Sequence, residues 1–106
     1  MGTTMRVIMT TIPSSQAKEV VRSLLEQRLV ACGNILPGAT SLYWWNGSIQ
    51  EEEESVIIME TTDEQSNNAE VALASLHPYD VPKILILEPK SANSAYVDWL
   101  IKEVQS

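Results

Sequence analysis

Cysteine is nearly missing from this chain. Cys32 stands alone, so no intrachain disulfide can form and nothing marks an oxidised, stapled secreted domain. Histidine is equally scarce: His77 is the only one, and no Cys-x-x-Cys or His-rich spacing suggests a metal cluster. The four glycines are scattered and build no phosphate-cradling loop. No nucleophile elbow organises the many serines. Basic residues are few, 7 against 14 acidic ones, for a net charge of -7. That balance argues against nucleic acid and against anionic membrane surfaces, both of which want a basic patch. No apolar run approaches the roughly 20 residues that span a bilayer. Met1 to Arg6 lacks the apolar core of a signal peptide. Arg6 also stands where a myristoylation motif wants Ser or Thr. These absences lead to the expectation of a cytoplasmic, non-enzymatic protein with no nucleic-acid or membrane partner.

What is present fits one domain over 1–106, with Met1 to Thr4 as a disordered lead. A hydrophobic content of 44% is enough for a real core. Met5 to Thr11 is rich in strand formers and ends at Pro13. Ala17, Val20, Val21, Leu24, Leu25 and Leu29 then recur at helical spacing, with Ser14 or Ser15 as cap. Val30 to Leu36 reads as a strand that Pro37-Gly38 bends or bulges. It resumes to Trp45, turns at Asn46-Gly47 and returns through Val56-Ile57-Ile58-Met59. Thr62 and Gln65 form a capping box for a second helix carrying Ala69, Ala72, Leu73 and Leu76. His77-Pro78 ends that helix. Ile84 to Leu87 is a short strand. Val97, Leu100, Ile101 and Val104 mark a last helix, with Trp99 beside the stripe. The order β-α-β-β-α-β-α predicts an α+β, ferredoxin-like βαββαβ fold. A mixed sheet is expected, with a long hairpin arm and an extra C-terminal helix.

Asn46-Gly47 is the preferred dipeptide of a type I′ hairpin turn. A two-residue loop there pairs Trp45 with Ser48, Trp44 with Ile49 and Leu42 with Glu51. Adjacent strand residues point to opposite faces, so Trp44 and Trp45 cannot share one core. Each could bury about 150–250 Å², worth up to roughly 4–6 kcal/mol. The tip is therefore a subunit interface, the wall of a ligand pocket, or simply half-exposed. A two-stranded arm is unstable alone, which favours support from a second chain.

Glu51 to Glu54 is the densest charge. Alternate members share a face about 7 Å apart, too wide to close on one ion without help. A solvated strand that resists edge pairing and a weak hard-cation site are both open. His77, with Tyr79 and Asp80 nearby, is a helix-end hydrogen-bonding residue, a metal ligand or an acid/base. Cys32 reads as a small buried residue.

Two segments together, Tyr43-Trp44-Trp45-Asn46-Gly47-Ser48-Ile49 and His77-Pro78-Tyr79-Asp80-Val81-Pro82, resemble the CutA divalent-ion tolerance protein family. Ala31-Cys32-Gly33-Asn34-Ile35 and Pro37-Gly38 add to the likeness, which runs from Val7 to Val104. It implies a compact homotrimer similar to the PII signalling proteins, held by inter-subunit pairing of the hairpin through Trp44 and Trp45. It implies a role in tolerance of copper and other divalent cations, with no obligatory cofactor. Some members resembling this chain bind copper through a first-strand Cys and two adjacent histidines. Thr10 and Leu76 stand at two of those positions here, and only His77 carries over as a metal ligand. Glu60 replaces a common Lys before Thr61. The same likeness suggests an alternative, a PII-like signalling module that holds a small molecule in clefts between subunits lined by Trp45, Tyr79 and His77.

Overall fold

A computed structural model describes residues 4–104. The elements run β1 (Met5–Ile12), α1 (Ser14–Glu26), β2 (Cys32–Trp45), β3 (Ser48–Thr62), α2 (Asp63–Leu76), β4 (Ile84–Leu87) and α3 (Ser94–Glu103). The sheet order is β2-β3-β1-β4, the ferredoxin-like arrangement followed by one additional helix. Met1 to Thr3 of the expected lead lie outside the described residues. Thr4 is held, because its carbonyl accepts the Asp63 N–H at 2.6 Å.

The sheet is antiparallel throughout, not mixed. Each helical crossover skips a strand: α1 carries the chain from β1 past the β3 position to β2, and α2 carries it from β3 past β1 to β4. Parallel partners are thus never neighbours, and the strand between them runs the other way.

Strand period sets the core. Ile8, Thr10 and Ile12 of β1 and Ser55, Ile57, Met59 and Thr61 of β3 alternate inward and are buried. Ala17, Val20, Val21 and Leu24 of α1 cover them, with Ala69 and Leu73 of α2. Leu25 and Leu76, read as part of these stripes, fall at the edge and are exposed. Neither Ser14 nor Ser15 caps α1: Pro13 holds the cap position without a side-chain bond. The Ser14 hydroxyl instead pairs with the Ser55 hydroxyl at 2.7 Å. Thr62 does cap α2, its Oγ1 accepting the Gln65 N–H at 3.2 Å. His77 ends the helix in extended conformation, as a residue before proline prefers.

Helix α3 lies on the opposite face. Leu100 and Val104 bury against Met5, flanked by Val7, Ala31 and Tyr96. Ile101 was expected in this stripe, but it is exposed.

Strands β2 and β3 continue past the helices as an arm. Leu36 pairs Val56 and Ala39 pairs Glu54, so one extra residue sits in β2 at Pro37-Gly38. Gly38 has φ +81, the left-handed geometry of such a bulge. At the tip Asn46 and Gly47 have φ 50 and 83, as a type I′ turn requires. The pairs Trp45–Ser48, Trp44–Ile49 and Leu42–Glu51 form as the two-residue loop dictates. The arm stretches the molecule to 44 Å along its longest axis, against 28 and 22 Å. Neither tryptophan enters the subunit's own core: Trp44 is 72% and Trp45 50% exposed.

Candidate functional site

Register beyond the bulge places Tyr43 opposite Gln50, Ser41 opposite Glu52 and Ala39 opposite Glu54. Alternation then gathers Tyr43, Trp45, Glu52 and Glu54 on one face of the arm. The segment after α2 brings Tyr79 to the same place. Together these residues line a cavity of about 880 Å³, with Thr11, Asp80, Val81 and Lys83 among its other walls.

Two phenol–carboxylate pairs organise this cleft. The Tyr79 hydroxyl donates to Glu54 Oε2 at 2.6 Å. The Tyr43 hydroxyl donates to Glu52 Oε1 at 2.7 Å. Burial, then the bond to Glu54 and the charge there, push the Tyr79 phenol far above its ordinary value. The bond to Glu52 is the main cause that raises the Tyr43 phenol. Both tyrosines are therefore neutral donors at physiological pH. Glu54 is only 4% exposed. Among the described residues its side chain accepts from Tyr79, and no ion pair reaches it.

His77 is buried and supports the cleft from behind. One ring nitrogen, Nε2, lies 2.8 Å from the Thr11 carbonyl. The other, Nδ1, accepts the Tyr79 N–H at 3.2 Å. Those partners demand the neutral ring with its proton on Nε2, since a carbonyl only accepts and an N–H only donates. The imidazole also packs 4.8 Å from the Tyr79 ring. It thereby ties the Tyr79 segment to the end of β1.

Cys32 is half-buried and sits elsewhere. It lies opposite Glu60, which in turn lies opposite Val7. That row crosses β1 four residues from Thr11, about 13 Å away. Burial raises both the Cys32 thiol and the Glu60 carboxyl, and the Tyr96 hydroxyl donates to Glu60 Oε1 at 3.3 Å. Thr10 is fully buried between Ile57 and Ile84, while Leu76 is exposed. No group of three or more His, Cys, Asp or Glu that could hold a metal forms among the described residues. No helix among them is long and apolar enough to cross a membrane.

Sequence reasoning named Trp45, Tyr79 and His77 but missed Glu52, Glu54 and Tyr43 as one constellation. The hairpin register carried part of the signal. Extending it from Asn46-Gly47 sets Ser41 against Glu52, which makes Tyr43 the diagonal neighbour of that carboxylate. The Glu54–Tyr79 bond joins residues 25 apart and had no local signal.

Residues 6–103 match the family profile described as CutA1 divalent ion tolerance protein. The divalent-cation tolerance protein CutA of Thermus thermophilus is 39% identical over 95 residues, covering 89% of this chain and 92% of that protein. Its namesake from Pyrococcus horikoshii is 37% identical over 102 residues, covering 95% and 99%. The crystal structure of CutA from Xylella fastidiosa superposes with a TM-score of 0.94 at 31% identity, over 97% of this chain and 100% of that one. The matched span includes the whole hairpin, the cleft and the His77 segment. This chain belongs to the CutA1 divalent ion tolerance protein family.

Proposed function

We propose that the chain serves divalent-cation tolerance without catalysis, as a homotrimer in the cytoplasm. Copper or another divalent cation is its ligand on this reading. The supporting observation is the carboxylate set in the cleft: Glu52, Glu54 and Asp80 stand against the lone cationic wall residue Lys83. Such a surface raises the local concentration of cations. His77 is the metal contact carried by the family likeness. A cation there has to take Nδ1 from the Tyr79 N–H, the longer of the two imidazole bonds. The trimer reading is supported by the unpacked tryptophans, with Trp44 and Trp45 as interface residues. The single free thiol at Cys32 suits a reducing compartment.

Copper titration by calorimetry, on the wild type and on His77→Ala, tests the metal contact. The reading expects saturable heat in the wild type and a clear loss in the variant. Equal, negligible heat in both removes His77 as a ligand and copper as the cation.

A second reading is favoured by one specific feature. Trp45 and Tyr79 line a single cavity with paired phenols and carboxylates, the shape of a small-molecule site. The chain would then be a PII-like binding module that holds the ligand in clefts between subunits and reports it to a partner.

A further inference from the structure

We propose that the outer face of α1 docks an acidic segment of a partner protein, an extended peptide with carboxylates at alternate positions followed by an apolar anchor. Lys18 and Arg22 hold the carboxylates, and Val21, Leu25 and Ile35 take the anchor. This surface plays no part in either reading above.

The first argument is charge. Basic residues are scarce, 7 against 14 acidic ones, yet Lys18, Arg22 and Arg28 line one groove of about 630 Å³ between α1 and the start of β2. Among the described residues, Glu26 is the one acidic member of its walls. Arg28 is already engaged, its Nη1 donating to Glu103 Oε2 at 2.9 Å. Lys18 and Arg22 are exposed and have no ion pair among the described residues. They stand one turn apart on α1, the spacing at which like charges repel and destabilise a helix. Anions placed against both remove that repulsion, and charge-assisted bonds to basic clusters are a recurring mode of acidic-segment recognition.

The second argument decides between a free anion and a peptide. The remaining walls, Val21, Leu25 and Ile35, are apolar. Leu25 is 36% exposed, outside the core that its neighbours build. A free phosphate gains nothing from such a surface, whereas an apolar side chain does. The spacing also suits an extended chain. Lys18 and Arg22 are about 6 Å apart along the helix axis, and alternate residues of a strand lie about 6.6 Å apart on one face. Leu25 follows about 4.5 Å further along the axis, within reach of a side chain two residues past the second carboxylate. The groove is well separated from the tryptophans of the arm. Ile35 precedes Trp45 by ten residues of β2, roughly 30 Å of strand. Helix α1 also covers the sheet face opposite to α3.

The test is an NMR titration of the full chain, following backbone amides, with the peptide acetyl-Glu-Ser-Glu-Ser-Leu-amide. Acetyl-Gln-Ser-Gln-Ser-Leu-amide removes its charge, and acetyl-Glu-Ser-Glu-Ser-Ser-amide removes its anchor. Saturable shifts should cluster on α1 and at Ile35, and each altered peptide should bind at least about threefold more weakly. The double variant Lys18→Gln, Arg22→Gln should weaken the acidic peptide by a similar factor, and both side chains are exposed, so it keeps the fold. Lys90→Gln, the same kind of charge change on an exposed loop, should leave binding unaltered. No shifts on α1, or equal binding of the glutamine peptide, overturns the proposal. Inorganic phosphate that moves the same amides with equal affinity overturns it in favour of a free anion. A smaller assembly for the double variant by light scattering overturns it by making a second copy of the chain the occupant.

Discussion

Gly33 shows how a single residue can be constrained by an element far off in sequence. A Cβ there would sit 2.6 Å from Val21 Cγ1 and 3.3 Å from Met59 Cγ. Val21 belongs to α1 and packs onto β2 at this point, so the glycine lets helix and sheet approach. Gly33→Ala should cost about 1–3 kcal/mol by overpacking, read as a lower urea midpoint with an unchanged slope. An unchanged midpoint would mean that α1 shifts freely, against the close packing seen. His77 makes the complementary point. Its place before Pro78 told where α2 ends. Its double role, toward Thr11 and Tyr79, depends on residues up to 66 positions away. A lone histidine in a sequence shows no such partners, which is why three roles stayed open for it.

At the scale of elements, α3 carries the least expected chemistry. It covers the sheet face that α1 and α2 leave bare, and it brings Tyr96 onto Glu60. Burial is the largest cause raising the Glu60 carboxyl, while the bonds from Tyr96 and Cys32 pull the other way. Below the ordinary carboxylate range Glu60 is protonated both folded and unfolded, and its charge costs nothing. As pH rises from that range through the raised folded value, the unfolded chain releases its proton first, so this group lowers stability. Glu60→Gln should therefore be more stable than wild type at neutral pH, and the gap should close in acid. Thermal unfolding across pH 3 to 7 reads this directly, on the pH scale where ordinary carboxylates titrate. A gap that widens in acid would reverse the sign and discard the account. The hairpin, by contrast, was legible from local rules. Asn46-Gly47 set its register and Pro37-Gly38 its bulge, since both depend on backbone conformations that only a few residues adopt readily.

For the whole molecule the dominant fact is unburied apolar surface. Leu42 at 64% and Ile49 at 61% join the two tryptophans at the arm tip. On the sheet face that α3 leaves partly open, Leu36, Leu85 and Leu87 are also more than two-fifths exposed. Patches of this kind mark association surfaces. Light scattering should find an assembly well above the 11.8 kDa of one chain, three chains on the proposed reading. Trp44→Ser and Trp45→Ser should each shift it toward smaller species. A monomer for the unaltered chain would undo the trimer proposal and the interface role of both residues.

The sequence by itself determined the element order, the hairpin register, the helix stop at His77 and the two-sided tryptophan problem. Each follows from local backbone preference or from a period of 2 or 3.6 residues, and neither needs distant contacts. The family likeness was legible for the same reason, because its motifs are short and contiguous. Tertiary structure alone decided that both tryptophans leave the subunit core, that the sheet is antiparallel throughout, and that Glu54 meets Tyr79. Those outcomes depend on where helices end relative to strands and on which strand lies between two others. A buried carboxylate acquires meaning only from what surrounds it, and in a chain what surrounds a residue is mostly distant in sequence.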